Sequence, residues 1–160
     1  MIYGANHAPR HVSDLTIGEP MSTSAQYKVF LSHGSTDAWV ARQLSKEIKA
    51  LGAATFLDET DIPKGANFKE IIRQEISECN ELLALFTPWS AQRSWVWSEV
   101  GAAWGQNKPV LGVLYGMSQK KFDTVSGGKA MFEDINVLDL NETEKYLSEL
   151  QSRVGSQSNG

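Results

Sequence analysis

Between Tyr27 and Val154 the apolar residues are arranged in two alternating ways. Short runs of consecutive bulky residues are followed by stretches in which apolar positions recur every three or four residues. Tyr27 to Leu31 (YKVFL) reads as a buried strand. Thr36 to Leu51 reads as a helix with Val40, Leu44, Ile48 and Leu51 on one stripe and Gly52 as its stop. Ala54 to Leu57 makes a second strand. Asn67 to Cys79 makes a helix with Phe68, Ile72, Ile76 and Cys79 inward, and Asn67 and Glu70 stand at the spacing of a capping box. Glu81 to Phe86, Ser94 to Gln106 and Pro109 to Tyr115 continue as strand, helix and strand. A loop from Gly116 to about Asp134 leads to a short strand near Val137 and a closing helix, Glu142 to Val154. Strands alternating with helical-period segments are the signature of βαβ units, so an α/β fold with a five-stranded parallel sheet and helices on both faces is expected.

The ends lack this order. Residues 1–26 have neither periodicity, carry Pro9 and Pro20, and read as a flexible leader; the polar tail from Gly155 is expected to fray. One domain, residues 27–154, remains. With 15 Lys and Arg against 19 Asp and Glu, the net charge is −4. Lys120 and Lys121 are the only adjacent basic pair, so no cationic stripe is available to track a phosphate backbone or an anionic membrane, and neither is an expected partner. The longest apolar stretch, around Val110 to Tyr115, is far below the ~18 residues of a membrane span, and the N-terminus has no apolar secretion core. A cytoplasmic location follows as the expectation. The single cysteine, Cys79, excludes an internal disulfide framework and, on an apolar stripe, reads as a core residue. His7 and His11 are four apart, but Pro9 lies between them and no acidic or cysteine partner follows at ligand spacing, so no metal is expected.

In a parallel sheet, ligands sit beyond the carboxyl ends of the strands where neighbouring connections leave to opposite faces. If the first strand lies between the second and third, the flavodoxin-like order, that crevice is lined by Ser32 to Asp37 (SHGSTD) and Thr87 to Ser94 (TPWSAQRS). The first loop has small residues that admit a ligand to the backbone, with polar groups on Ser32, His33 and Asp37. In the third helix, at about 100° per residue, Val96, Val100, Ala103 and Trp104 form a core stripe, whereas Trp95, Glu99 and Ala102 share an adjoining face. Glu99 therefore stands beside an aromatic ring at the crevice. Other signatures fail. The SGGKA run from Ser126 lacks the earlier glycine and the final Ser or Thr of a P-loop, and no GxGxxG follows the first strand. Ser32 and His33 point to opposite sides of a strand end, which disfavours a Ser-His couple. Asp58 lacks the paired acidic residues after strand one that a phospho-acceptor pocket requires.

The blocks YKVFLSH, FLDETDIPKGANF and LLALFTPWSAQRSWVWSE together resemble the Toll/interleukin-1 receptor (TIR) domain, with the right order and spacing from about Gln26 to Tyr115 and more loosely to Val154. Catalytic members of that family carry a Trp and, four residues on, a Glu in the third helix, which Trp95 and Glu99 match. The resemblance implies an NAD-cleaving enzyme, with Glu99 as the catalytic residue, NAD as substrate rather than cofactor, and nicotinamide and an ADP-ribose-derived product released. It further implies a pocket formed by Phe30, Ser32, His33, Asp37 and Trp95. Lys64, Gly65 and Phe68 would reach it from the loop ETDIPKGAN, which in the family mediates self-association and gates the site. A compact lone domain of this kind is similar to bacterial TIR proteins of antiphage defence (Thoeris-like), which deplete NAD or make a signal sensed by a separate effector protein. The rival expectation is a non-catalytic adaptor acting by homotypic TIR–TIR association; the Trp and Glu pairing favours catalysis.

Overall fold

A computed structural model of the chain describes residues 25–57, 61–62, 65–126 and 135–158. Its strands are β1 (Lys28–Ser32), β2 (Ala54–Leu57), β3 (Glu81–Phe86), β4 (Val110–Leu114) and β5 (Asn136–Asp139). They form one parallel sheet in the order β2-β1-β3-β4-β5, with Phe30 opposite Phe56 on one side and Leu82 on the other. The helices are α1 (Ala38–Ala50), α2 (Phe68–Glu78), α3 (Ser94–Gly105), α4 (Gln119–Ser126) and α5 (Thr143–Ser158). The expected sheet order is therefore the observed one. Among the described residues no helix is long and apolar enough to cross a membrane.

Side-chain alternation along the strands sorts the core into two layers. Val29 and Leu31 of β1 join Ala41, Leu44 and Ile48 of α1 and Leu150 of α5 on one face. Phe30 faces the other way, onto a cluster with Ile72 and Ile76 of α2, Val96, Val100 and Ala103 of α3, and Phe122 of α4. Both faces of β3 are covered, which is why ELLALF reads as a continuous apolar run after its first residue. Cys79 is buried in the second layer, where its thiol donates to the Ile76 carbonyl at 3.2 Å and burial pushes it up from the usual thiol range.

Glu81, at the amino end of β3, is buried because it is paired. It accepts from the hydroxyls of Tyr27 at 2.7 Å and Tyr146 at 2.5 Å, and Arg153 Nε lies 3.1 Å away. This cluster ties α5 to β1 and β3 at the end of the sheet opposite the crevice. Burial, reinforced by Glu81, pushes the Tyr27 phenol up to about 12 and raises that of Tyr146.

Several local expectations need correction. Residues 35–37 form a 3-10 turn before α1, so the α-helix begins at Ala38 rather than Thr36. The expected loop after β4 contains α4, whose polar run QKKFDTVS is held inward mainly by Phe122 and was too weakly periodic to register as a helix. The last helix continues to Ser158, past the expected fraying point at Gly155, and Gln157 Nε2 donates to the Ala25 carbonyl at 2.7 Å. Asn67 caps α2 without a side-chain hydrogen bond, so the capping box is not formed. Trp104, assigned to the core stripe, is 47% exposed. The tryptophan that packs is Trp97, with ring centroids 4.6 Å from Phe86 and 6.0 Å from Phe122 and its Nε1 donating to the Ala91 carbonyl at 2.8 Å. The two rings leave α3 in similar directions, since seven residues are nearly two turns. Trp97 sits on the first turn, where the unforeseen α4 covers it; Trp104 sits on the last, and no such ring contact covers it among the described residues.

Candidate active site

Ser32 ends β1 on the same pleat face as Phe30, so its side chain points toward α3. Val96, Val100 and Ala103 turn the core side of α3 toward the sheet, and Glu99 lies on the edge of that arc, three residues after Val96 and four before Ala103. The carboxylate is consequently only 2% exposed. The hydroxyl of the fully buried Ser32 donates to Glu99 Oε2, which fixes the orientation of the acid. A buried carboxylate is costly unless it is hydrogen-bonded, so the positions of Ser32 and Glu99 depend on each other. The pair lies at the carboxyl end of β1, where the β1–α1 connection leaves to one face of the sheet and the β3–α3 connection to the other.

A cleft of about 420 Å³ opens at this point, lined by His33, Gly34, Ser35, Phe68, Arg93, Trp95 and Val96. Trp95 stands one helical turn before Glu99. Its ring packs on that of Phe68 at 5.1 Å between centroids, tilted by 37°. Phe68 opens α2 and is 37% exposed, so it faces the cleft rather than the core to which its stripe had assigned it. His33 is buried in the wall with Nδ1 3.2 Å from the Leu31 carbonyl.

A second set of hydrogen bonds holds the two crevice loops together. Thr87 Oγ1 donates to Asp37 Oδ2 at 2.7 Å, the Thr87 N–H donates to Ser90 Oγ at 2.8 Å, and Ser90 Oγ donates to the Leu85 carbonyl at 2.9 Å. Gly34 fits the gap they leave. A Cβ there would stand 3.2 Å from the Ser90 Cβ and 3.3 Å from Asp37 Oδ2, so the Ser90 and Asp37 side chains would have to give by a few tenths of an ångström to admit one.

The expected site residues therefore divide. His33, Trp95 and Phe68 line the cleft, whereas Ser32 and Glu99 pair with each other in the buried layer and are not among its lining residues. Asp37 braces the first loop from beneath through Thr87. Phe30 does not line the cleft: it shares the pleat face of Ser32 but sits two residues back along β1, where its ring packs in the core 5.3 Å from that of Phe56. Gly65 lies on the segment leading to α2 with φ +89°, a conformation that favours glycine. Lys64, with Asp58, His7 and His11, lies outside the described residues. Gly34, Arg93, Thr87 and Ser90 were not singled out from the sequence, although all four fall within the two loops assigned to the crevice. Among the described residues no group of three or more His, Cys, Asp or Glu is placed to hold a metal ion.

A parallel five-stranded sheet in this order, with a buried carboxylate and an aromatic-lined cleft near its switch point, defines a flavodoxin-like α/β domain. The family model described as "TIR domain" matches residues 29–151, and the chain belongs to that family. No curated protein sequence matches it. The TIR domain of the Toll-related receptor TRR-2 from Hydra magnipapillata superposes with a TM-score of 0.58 at 16% identity, covering 84% of this chain and 100% of that one. A metazoan TIR-STING receptor from C. gigas gives 0.62 at 16% identity over 78% of this chain; the match spans 39% of the receptor chain. The TIR domains of the activated Roq1 resistosome give 0.53 at 16% identity, with 84% of each chain covered. At these identities the likeness is one of fold.

Proposed function

We propose that this TIR domain cleaves NAD at the bond between nicotinamide and ribose, releasing nicotinamide and an ADP-ribose-derived product. The observation that carries the reading is the buried Glu99, held by Ser32 one helical turn beyond Trp95, which lines the switch-point cleft. Nicotinamide in NAD is already cationic, so it departs without an acid to protonate it. The C–N bond breaks with its electron pair moving to the pyridine nitrogen, and positive charge develops on the ribose. An anion fixed beside the ribose stabilises that oxocarbenium-like state. Water then adds at the anomeric carbon and releases a proton, giving ADP-ribose; a hydroxyl in place of water gives a cyclic or conjugated product. Glu99 is the anion, Trp95 and Phe68 offer the aromatic walls, and no further cofactor enters. Release of nicotinamide from NAD, followed by chromatography, tests the reading.

The biological use we infer is an immune one: depletion of NAD, or a nucleotide signal read by a separate effector. One observation favours a second reading, in which the domain works by association alone. Trp39 and Trp89, on the helix start and loop at the carboxyl edge of the sheet, are 66% and 64% exposed. Large exposed aromatic side chains are the kind that anchor protein interfaces.

Association also bears on catalysis, because Glu99 is nearly closed off within a single domain. In the segment before α2, Ile62 packs partly on the core, and Asp61 Oδ2 accepts from the Leu57 N–H at 2.8 Å. We infer that contact with a second copy through this segment completes the site. Specific activity is then expected to rise more than proportionally with protein concentration. Gly65→Pro should suppress both assembly and turnover, since proline holds φ near −65° against the observed +89°. Constant specific activity from a strictly monomeric sample, unaltered in the variant, would refute the assembly requirement.

A further inference from the structure

Arg93 lines the cleft immediately before α3 and has no part in the chemistry above. Its backbone is fixed, with the N–H donating to the Ser90 carbonyl at 2.9 Å, so the side chain projects from a defined point rather than from a mobile loop. It is exposed, and among the described residues no carboxylate forms an ion pair with its guanidinium. The other residues lining the cleft are His33, Gly34, Ser35, Phe68, Trp95 and Val96, so Arg93 is the one permanent cation on its described wall. A cation anchored through its backbone at the rim of a cleft, in a chain of net charge −4, is placed to meet an anionic group of a ligand.

The sign and placement of the groups suggest one. Glu99 lies six residues further along α3, a rise of roughly 9 Å at 1.5 Å per residue. A ribose held at Glu99 therefore carries its 5′ substituent within the reach of an extended arginine side chain. The aromatic pair of Phe68 and Trp95 lies between and beside these points. An electron-poor ring and sugar at the acid, with phosphate at the arginine, satisfies both charges. The reverse orientation sets phosphate against carboxylate.

Resting on the cleavage reading, we propose that Arg93 anchors the phosphates of the substrate, so that the site selects a nucleotide over the corresponding nucleoside. The guanidinium donates to phosphate oxygens as a fork, a geometry that lysine does not reproduce. It touches substrate away from the reacting bond and acts as a specificity determinant.

The test compares NAD with nicotinamide riboside, which has the same scissile bond and no phosphate, in wild type, Arg93→Ala and Arg93→Lys. The readout is the ratio of kcat/KM for the two substrates, which is insensitive to the fraction of protein folded. Wild type is expected to prefer NAD; in Arg93→Ala that preference should fall about tenfold or more, the scale of one charge-assisted contact, and in Arg93→Lys by less. An unchanged ratio in Arg93→Ala overturns the proposal. If wild type cleaves neither compound, the cleavage reading fails and binding decides the role of Arg93. A tenfold loss of ADP-ribose affinity relative to adenosine in Arg93→Ala supports the anchor; equal losses, or no ADP-ribose binding by wild type, overturn it.

Discussion

Glu99→Gln should keep the fold and lose NAD turnover by two orders of magnitude or more. Glutamine has the same shape as glutamate, and its amide oxygen can still accept from the Ser32 hydroxyl, so the buried pair survives in geometry while the charge is removed. One preorganised electrostatic group aimed at a developing charge is worth about 3 kcal/mol or more in the transition state, and each 1.4 kcal/mol is roughly a factor of ten in rate. The expected signature is an unchanged melting temperature, a collapsed kcat and a modest change in KM. Wild-type turnover by a folded Gln variant would remove Glu99 from the mechanism.

The second large effect is on stability and separates two tryptophans of one helix. Trp97→Ala removes a partly buried ring packed against the contacting pair Phe86 and Phe122 and leaves the Ala91 carbonyl without its indole donor. A loss of about 3–5 kcal/mol is expected for truncating a packed aromatic side chain. Trp104→Ala should cost under about 1 kcal/mol, because the ring is half exposed. Chemical denaturation of the two variants checks the contrast. Equal losses would mean that the covering role assigned to α4 is wrong.

That contrast also marks where the sequence was legible. The central strands β1 and β3 were readable because they are buried on both faces and appear as short apolar runs, whereas the edge strand β5, NVLD, is only partly covered. The βαβ connections made the sheet parallel, while the order β2-β1-β3-β4-β5 came from the flavodoxin-like arrangement that the family resemblance implies. Helix periodicity placed Glu99 on the flank of the core stripe, and the structure carries it further inward, to 2% exposure. What periodicity could not supply was the neighbour. The burial of Trp97 depends on α4, eight residues long with few apolar anchors, and the inward or outward fate of Phe68 depends on where the start of α2 meets Trp95. Phe30 was placed in the pocket by resemblance, yet its pleat parity with Ser32 spans two positions along the strand, and only the last of them reaches the crevice. Arg93 carries no signal in the sequence, because an exposed arginine before a helix is ordinary without a cleft beside it.

The central claim is that this domain breaks the nicotinamide–ribose bond of NAD. Mass analysis of the products formed from NAD at high protein concentration tests it most directly. Stoichiometric nicotinamide and a matching ADP-ribose-derived species, both absent with Glu99→Gln, is the predicted result. Intact NAD with folded, self-associated wild-type protein would contradict it.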